Sequence, residues 1–266
     1  MKIAARLNDK MFLLLALLLL FITTLVIPRI DASSDMLSYV KSLPVTYWVG
    51  LALSLLILIW RGRLSRPLTV YSFMLIGIYL FALPSIVYVN YPGSRDAYGH
   101  MSYALYISRV GHVENSGVEK FPGSYISTAA LHIITGVEPL SILKAYNPAY
   151  ILFLTLIAYL IAWRVGKGEC AYVAPLTVLG VYWSSMYFGK STYGYMLWSI
   201  LWLLLIMLVE HFDVKTVISV VLVYITLTMS HPLSSLLVPL ILLSYTMLLR
   251  FLGEDTKPRL FLPILL

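Results

Sequence analysis

Asp96 stands directly after Arg95 and four residues before His100, inside a 25-residue stretch, Asn90 to Glu114. The same stretch holds four tyrosines, a second arginine, a second histidine and a glutamate. A positioned carboxylate can take the proton of an attacking hydroxyl, and an imidazole one helical turn away can orient that carboxylate or a substrate. Fixed cations can hold a phosphate as it leaves, and Arg95, Lys120 and Lys190 are the candidates here. Tyr98, Tyr103, Tyr125 and Tyr193 offer rings and hydroxyls that suit a sugar, and His231, just before Pro232, is a further candidate for substrate contact. This set matches what group transfer from a lipid phosphate needs: a base, phosphate-binding cations and a site at a membrane surface.

Each residue also has a structural reading. An acid in the first turn of a helix is stabilised by the helix dipole without doing chemistry, which fits Asp96 two residues after Ser94. Interfacial cations such as Arg95 and Lys120 bind lipid phosphate by default. His100 is read as a surface histidine, Glu114 and Glu119 as solvated loop carboxylates, His231 as a helix-end residue, and the tyrosines as an interfacial belt.

The elements that must position these groups are set by composition. The chain is 60% hydrophobic and 12% charged, with a mean hydropathy of +0.87, so lipid rather than water is the expected solvent for most of it. Apolar runs long enough to cross a bilayer lie at 11–27, 45–60, 67–89, 147–163, 170–188, 191–209, 216–230 and 233–249. A ninth run opens near Leu260, as expected of a chain that continues past Leu266. The fold class expected is therefore all-α and polytopic, with about eight complete spans plus a partial ninth and a long outer loop of juxtamembrane helices. Residues 1–66 would supply two N-terminal spans and residues 67–266 the main module.

Every Asp, Glu, Lys, Arg and His falls at a span end or in a loop, which argues against ion-coupled transporters and pumps. The net charge of +7 is carried by lysines and arginines at span ends, not in runs interleaved with aromatics, so nucleic acid is not an expected partner. With a cytoplasmic N-terminus and alternating spans, the cytoplasmic side holds Lys2, Arg6, Lys10, Arg61, Arg63, Arg66, Arg164, Lys167, Lys215, Arg250, Lys257 and Arg259. The expected location is thus a multi-pass cell membrane protein with residues 90–146 extracytoplasmic. The first span reads as an uncleaved anchor, because no small-residue cleavage site follows it. A lone Cys170 excludes an intramolecular disulfide.

The loop from Asn90 to Tyr146 is too long to be a passive connection. Helical periodicity from Arg95 to Arg109 predicts a helix lying on the membrane surface, with Ala97, Met101, Ala104, Leu105 and Ser108 on its lower side. Ser124 to Gly136 predicts a second helix, N-capped by Ser124 and ended by Gly136. Glu138 and Pro139 should start a short third helix that leads to Asn147 and Pro148.

This layout, with the phrases FPGSYISTAALHIITGVEPLSILKAYNP, YFGKSTYGYMLW and TMSHPLSSLL, resembles the GT-C superfamily of integral-membrane glycosyltransferases, related to the protein O-mannosyltransferases and oligosaccharyltransferases. The resemblance runs from about Ser72 to Leu249. It implies a transferase that moves a sugar from a polyprenyl-phosphate donor to a protein or glycan acceptor at the outer face of the lipid bilayer. It assigns Asp96 as the catalytic acid, while a divalent cation, Mg or Mn, is the candidate cofactor with Asp96 as its candidate ligand. Two departures stand out: Asp96 has no acidic neighbour, and no later outer loop carries a carboxylate. The alternative expectation is a non-catalytic membrane scaffold or subunit descended from such a transferase, binding a partner through the outer loop.

Overall fold

A computed structural model describes residues 2–28, 41–60, 66–82, 95–113, 121–166, 171, 174–175, 178 and 189–251. Of residues 2–10, 58–60, 66–69, 81–82, 95–96, 147, 190 and 249–250 it describes the backbone alone. The elements among the described residues are all helices: α1 (Lys2–Val26), α2 (Val45–Trp60), α3 (Arg66–Gly77), which runs on as a π-helical turn (Ile78–Ala82), α4 (Arg95–Val110), α5 (Gly123–Thr135), α6 (Pro139–Val165), α7 (Lys190–Glu210), α8 (Val214–Ser230) and α9 (Pro232–Phe251). The all-helical expectation holds. Two helical stretches among the described residues, Pro139–Val165 and Ser191–Glu210, are long and apolar enough to cross a membrane; five others, Met11–Val26, Val45–Ile57, Val70–Leu80, Val214–Ser230 and Pro232–Leu248, are apolar but shorter. The expected span at 170–188 lies almost wholly outside the described residues.

Two compact units form: residues 1–99 with 140–188, and residues 100–139 with 189–266. In the first, α1, α2 and α3 pack together around Ala16, Tyr47, Ile57, Leu75 and Tyr79. Gly50 makes room for Tyr79, because a Cβ there would overlap the Tyr79 hydroxyl. The Tyr79 hydroxyl donates to the Ala16 carbonyl at 3.3 Å, and the Tyr47 hydroxyl donates to the Tyr79 carbonyl at 2.9 Å.

In the second unit α7, α8 and α9 form a three-helix bundle on Leu197, Leu201, Leu205, Val220, Leu227, Val238 and Leu242. Hydroxyl side chains along these helices donate to carbonyls of their own helix: Ser199 to Tyr195 at 2.8 Å, Thr226 to Leu222 at 2.8 Å, Thr228 to Tyr224 at 2.9 Å and Thr246 to Leu242 at 2.8 Å. Such bonds satisfy a hydroxyl in an apolar setting without any partner helix. Asp213 starts α8 by accepting from the Thr216 N–H at 3.1 Å and the Thr216 hydroxyl at 3.0 Å, an N-cap that holds its carboxyl below the ordinary value.

Three local expectations are corrected. Helix α5 begins at Gly123 with Pro122 in the N-cap position and no side-chain cap, so Ser124 is not the cap but a fully buried residue of the first turn. The short third helix does not end near Pro148: α6 passes through that proline and runs 27 residues as one element. A proline removes one N–H from a helix, and an apolar helix tolerates the loss where neighbours or local adjustment compensate. Of the face of α4 expected to lie on lipid, Ala97 and Ala104 are buried in protein, together with Ile107 from outside that face, while Met101, Leu105 and Ser108 are half-buried. The C-terminal expectation for α5 does hold, since Gly136 has a left-handed φ of 68° and its N–H bonds the His132 carbonyl.

Candidate functional site

The site is assembled at one end of the α7–α9 bundle, where α5 is seated. Helix α5 reaches the last residue of α8 through Gly123. A Cβ at this position would overlap the Ser230 hydroxyl and lie 3.1 Å and 3.3 Å from Ser230 Cβ and Cα. Gly194 does the same for α7, where a Cβ would come within 2.5 Å of His231 Cβ and 2.9 Å of its Cγ. Two glycines thus let three helix ends converge.

Helix α7 starts cleanly at this end. Gly189 is extended, and the Thr192 hydroxyl both accepts from its N–H at 3.0 Å and donates to its carbonyl at 2.9 Å. That fixes the first turn, from which Tyr193 reaches Ser127 of α5 at 2.8 Å. Since Ser127 donates its own proton to the Gly123 carbonyl at 2.8 Å, it accepts from Tyr193. This hydrogen bond ties α5 to the first turn of α7, a helix long and apolar enough to cross a membrane.

His231 forms the corner between α8 and α9. Its N–H closes α8 on the Leu227 carbonyl at 2.7 Å, and Pro232 then occupies the first helical position of α9, where a missing N–H costs nothing. Its Nδ1 lies 2.7 Å from the Ser234 hydroxyl and 3.4 Å from the Ser234 N–H. A backbone N–H can only donate, so Nδ1 carries the lone pair and the ring is neutral with its proton on Nε2. Burial acts in the same direction and pushes the His231 pKa down. The Tyr195 ring stands 6.0 Å away, centroid to centroid.

The second half of the site is the α4–α5 pair. His100 Nδ1 lies 3.0 Å from the hydroxyl of the buried Tyr125, and the Tyr125 ring is 5.4 Å from both His100 and Tyr103, at interplanar angles of 31° and 37°. Ile107 and Ala129 complete the packing. With one ring nitrogen held by Tyr125, the His100 imidazole has a defined orientation.

Of the sequence candidates, the structure gathers Tyr193 and His231 at the bundle end and places His100 against Tyr125 on the α4–α5 pair. Arg95 and Asp96 form the first turn of α4 and Lys190 the first residue of α7, but their side chains lie outside the described residues, as does all of Lys120. Ser127, Ser234 and the two close-approach glycines were not among the candidates. The pairing of Ser127 with Tyr193 spans 66 residues and leaves no local mark. Among the described residues no group of three or more His, Cys, Asp or Glu side chains could hold a metal ion. His100, Tyr103 and Tyr125 alone offer no carboxylate for a hard cation such as Mg or Mn. No protein-family model, curated protein or solved structure matches this chain.

Proposed function

We propose that this protein is a polytopic membrane glycosyltransferase of the GT-C type, which moves a sugar from a polyprenyl-phosphate donor to a protein or glycan acceptor at the extracytoplasmic face. The observation that carries the reading is the Tyr193–Ser127 hydrogen bond, 2.8 Å long, which joins a loop helix rich in hydroxyls to the start of an apolar helix of spanning length. A lipid-borne head group is met at such a junction, where hydrocarbon gives way to polar surface.

In this reading Asp96 takes the proton of the acceptor hydroxyl as the acceptor oxygen bonds to the anomeric carbon. The bond from that carbon to the carrier phosphate breaks, and the phosphate leaves with both bonding electrons. His100, oriented by Tyr125, aligns Asp96 or the acceptor, and Arg95, Lys120 and Lys190 hold the phosphate. Tyr193 and His231 contact the sugar or its carrier. Any Mg or Mn would rest on Asp96, and no step above depends on it.

A second reading has its own support. The polar groups of this end are bonded to one another, Ser127 with Tyr193, His231 with Ser234 and His100 with Tyr125, as in a scaffold that binds a partner through the same loop. Asp96→Asn separates the two. Asparagine keeps the size and polarity of a helix-start residue but cannot accept a proton, so sugar transfer in proteoliposomes should fall by at least about a hundredfold while the melting temperature holds. Undiminished transfer by the variant would remove Asp96 from the chemistry; a parent that transfers nothing from lipid-linked sugars would favour the scaffold.

A further inference from the structure

A groove of about 340 Å³ runs between α7 and α9, with Trp202, Ile206 and Glu210 on one side and Ile241, Leu242 and Tyr245 on the other. The two helices run in the same direction, since Gly194 meets His231 at the candidate site and Leu205 shares a core with Leu242 further along both. The groove therefore lies at the end of the bundle away from that site. Leu242 is buried beneath it, whereas Ile241 and Tyr245 are exposed. From Trp202 to Glu210 it covers about 12 Å of a 21-residue helix that is about 30 Å long. That length suits the roughly 15 Å of hydrocarbon in one leaflet of a bilayer.

The mouth of the groove is negative for two independent reasons. Glu210 is the one charged residue among its described lining residues and the last residue of α7. A helix C-terminus also carries the negative end of the dipole and carbonyls without helical partners, and no basic side chain stands in the last turn of α7 to offset them. Asp213, three residues on, is engaged in capping α8 through Thr216. A cation suits this end, and a carboxylate with about four acceptor positions can take one beside its contacts within the chain. The indole of Trp202 belongs to the deep end, so no aromatic cage surrounds the mouth for a quaternary ammonium. Recognition falls to hydrogen bonds from a primary ammonium.

We propose that the groove between α7 and α9 binds a phospholipid with a primary-amine head group, one acyl chain lying along Trp202, Ile206 and Ile241 and the ammonium seated on Glu210. The site belongs to the leaflet opposite the candidate functional site. The proposal rests on the reading of α7–α9 as membrane-spanning and goes beyond it by assigning a lipid and its head-group class to one groove.

Native mass spectrometry of the full chain released from micelles tests it, with dioleoyl phosphatidylethanolamine, phosphatidylcholine and phosphatidylglycerol added at equal concentration. The expected result is that the parent retains the ethanolamine lipid several-fold more than either of the others. Glu210→Gln should abolish that preference, and Ile241→Trp, which fills the exposed lip of the groove, should bring retention of the ethanolamine lipid down to the level of the other two. Both positions are exposed, so the melting temperature in micelles should hold. Equal retention of the three lipids by the parent, or a preference that survives Glu210→Gln, overturns the site. Preference for phosphatidylglycerol overturns it in favour of phosphate recognition by cations. The same chain in vesicles is washed with alkaline carbonate: release overturns the spanning reading and the site together, whereas a chain that stays with the vesicles yet prefers no lipid overturns the site alone.

Discussion

Gly123→Ala is the perturbation with the most direct structural magnitude. The added methyl overlaps the Ser230 hydroxyl and stands 3.1 Å from Ser230 Cβ and 3.3 Å from its Cα. Rotating the hydroxyl away removes the worst overlap but breaks its 2.7 Å bond to the Thr226 carbonyl, a net loss of about 1 kcal/mol for one hydrogen bond. The two carbon contacts remain and force α5 outward by a few tenths of an ångström, and overpacking of this kind costs about 1–3 kcal/mol. The higher helix propensity of alanine returns at most about 1 kcal/mol, less at the first helical residue. The expected net loss is about 1–3 kcal/mol, read as a lowered midpoint in denaturant titration of the purified protein in micelles. Ser230→Gly in the same chain removes the hydroxyl and Cβ and should recover much of the loss, so that the two substitutions couple in a double-mutant cycle. A Gly123→Ala protein as stable as its parent, or a double variant that is merely additive, would refute close approach of α5 to α8.

Tyr193→Phe removes the donor to Ser127 and should lower stability by about 0.5–1.5 kcal/mol in the same titration, with Ser127→Ala adding little once the tyrosine hydroxyl is gone. Burial lowers the His231 pKa from 6.5, so the unfolded chain takes up a proton before the folded one does. Stability should therefore fall as pH drops below 6.5 and level off below the folded value, and His231→Asn should flatten that dependence in melts between about pH 8 and pH 5. The Asp213 carboxyl is held below its ordinary value of 3.8 by Thr216, so its contribution is present above that value and lost as pH falls through the folded one. Asp213→Ala should lower the melting temperature at neutral pH and remove that part of the acid loss.

Positions with a local chemical signature were legible in the sequence. Gly136 ends α5 because a left-handed residue after a helix favours glycine, and the periodicity of Arg95 to Arg109 matched α4 to within one residue. Proline at 148 was read as a boundary because its ring opposes helix continuation, yet α6 absorbs it within 27 residues of mostly apolar sequence. Ser124 looked like a cap because serine usually is one; the packing of Gly123 on Ser230 moved the helix start upstream and buried it. The site was legible in part. The residue types of Tyr193 and His231 marked them as candidates, whereas Ser127, Gly123 and Gly194 matter only through contacts with residues far along the chain. A glycine in an apolar helix carries no mark of the side chain that will lean on it.

The hydroxyls that bond carbonyls of their own helix have a consequence for how the chain is made. Ser199, Thr226, Thr228 and Thr246 meet their hydrogen-bonding needs as soon as a single helix forms, so on the proposed membrane-spanning reading α7, α8 and α9 could each enter lipid without waiting for a neighbour. The hydroxyls of Tyr193 and Tyr224 differ, finding their partners across elements in Ser127 and in the Ser235 carbonyl. During biogenesis serine and threonine leave the order of events open. The tyrosines reward the one arrangement in which the late-arriving helices have found their register.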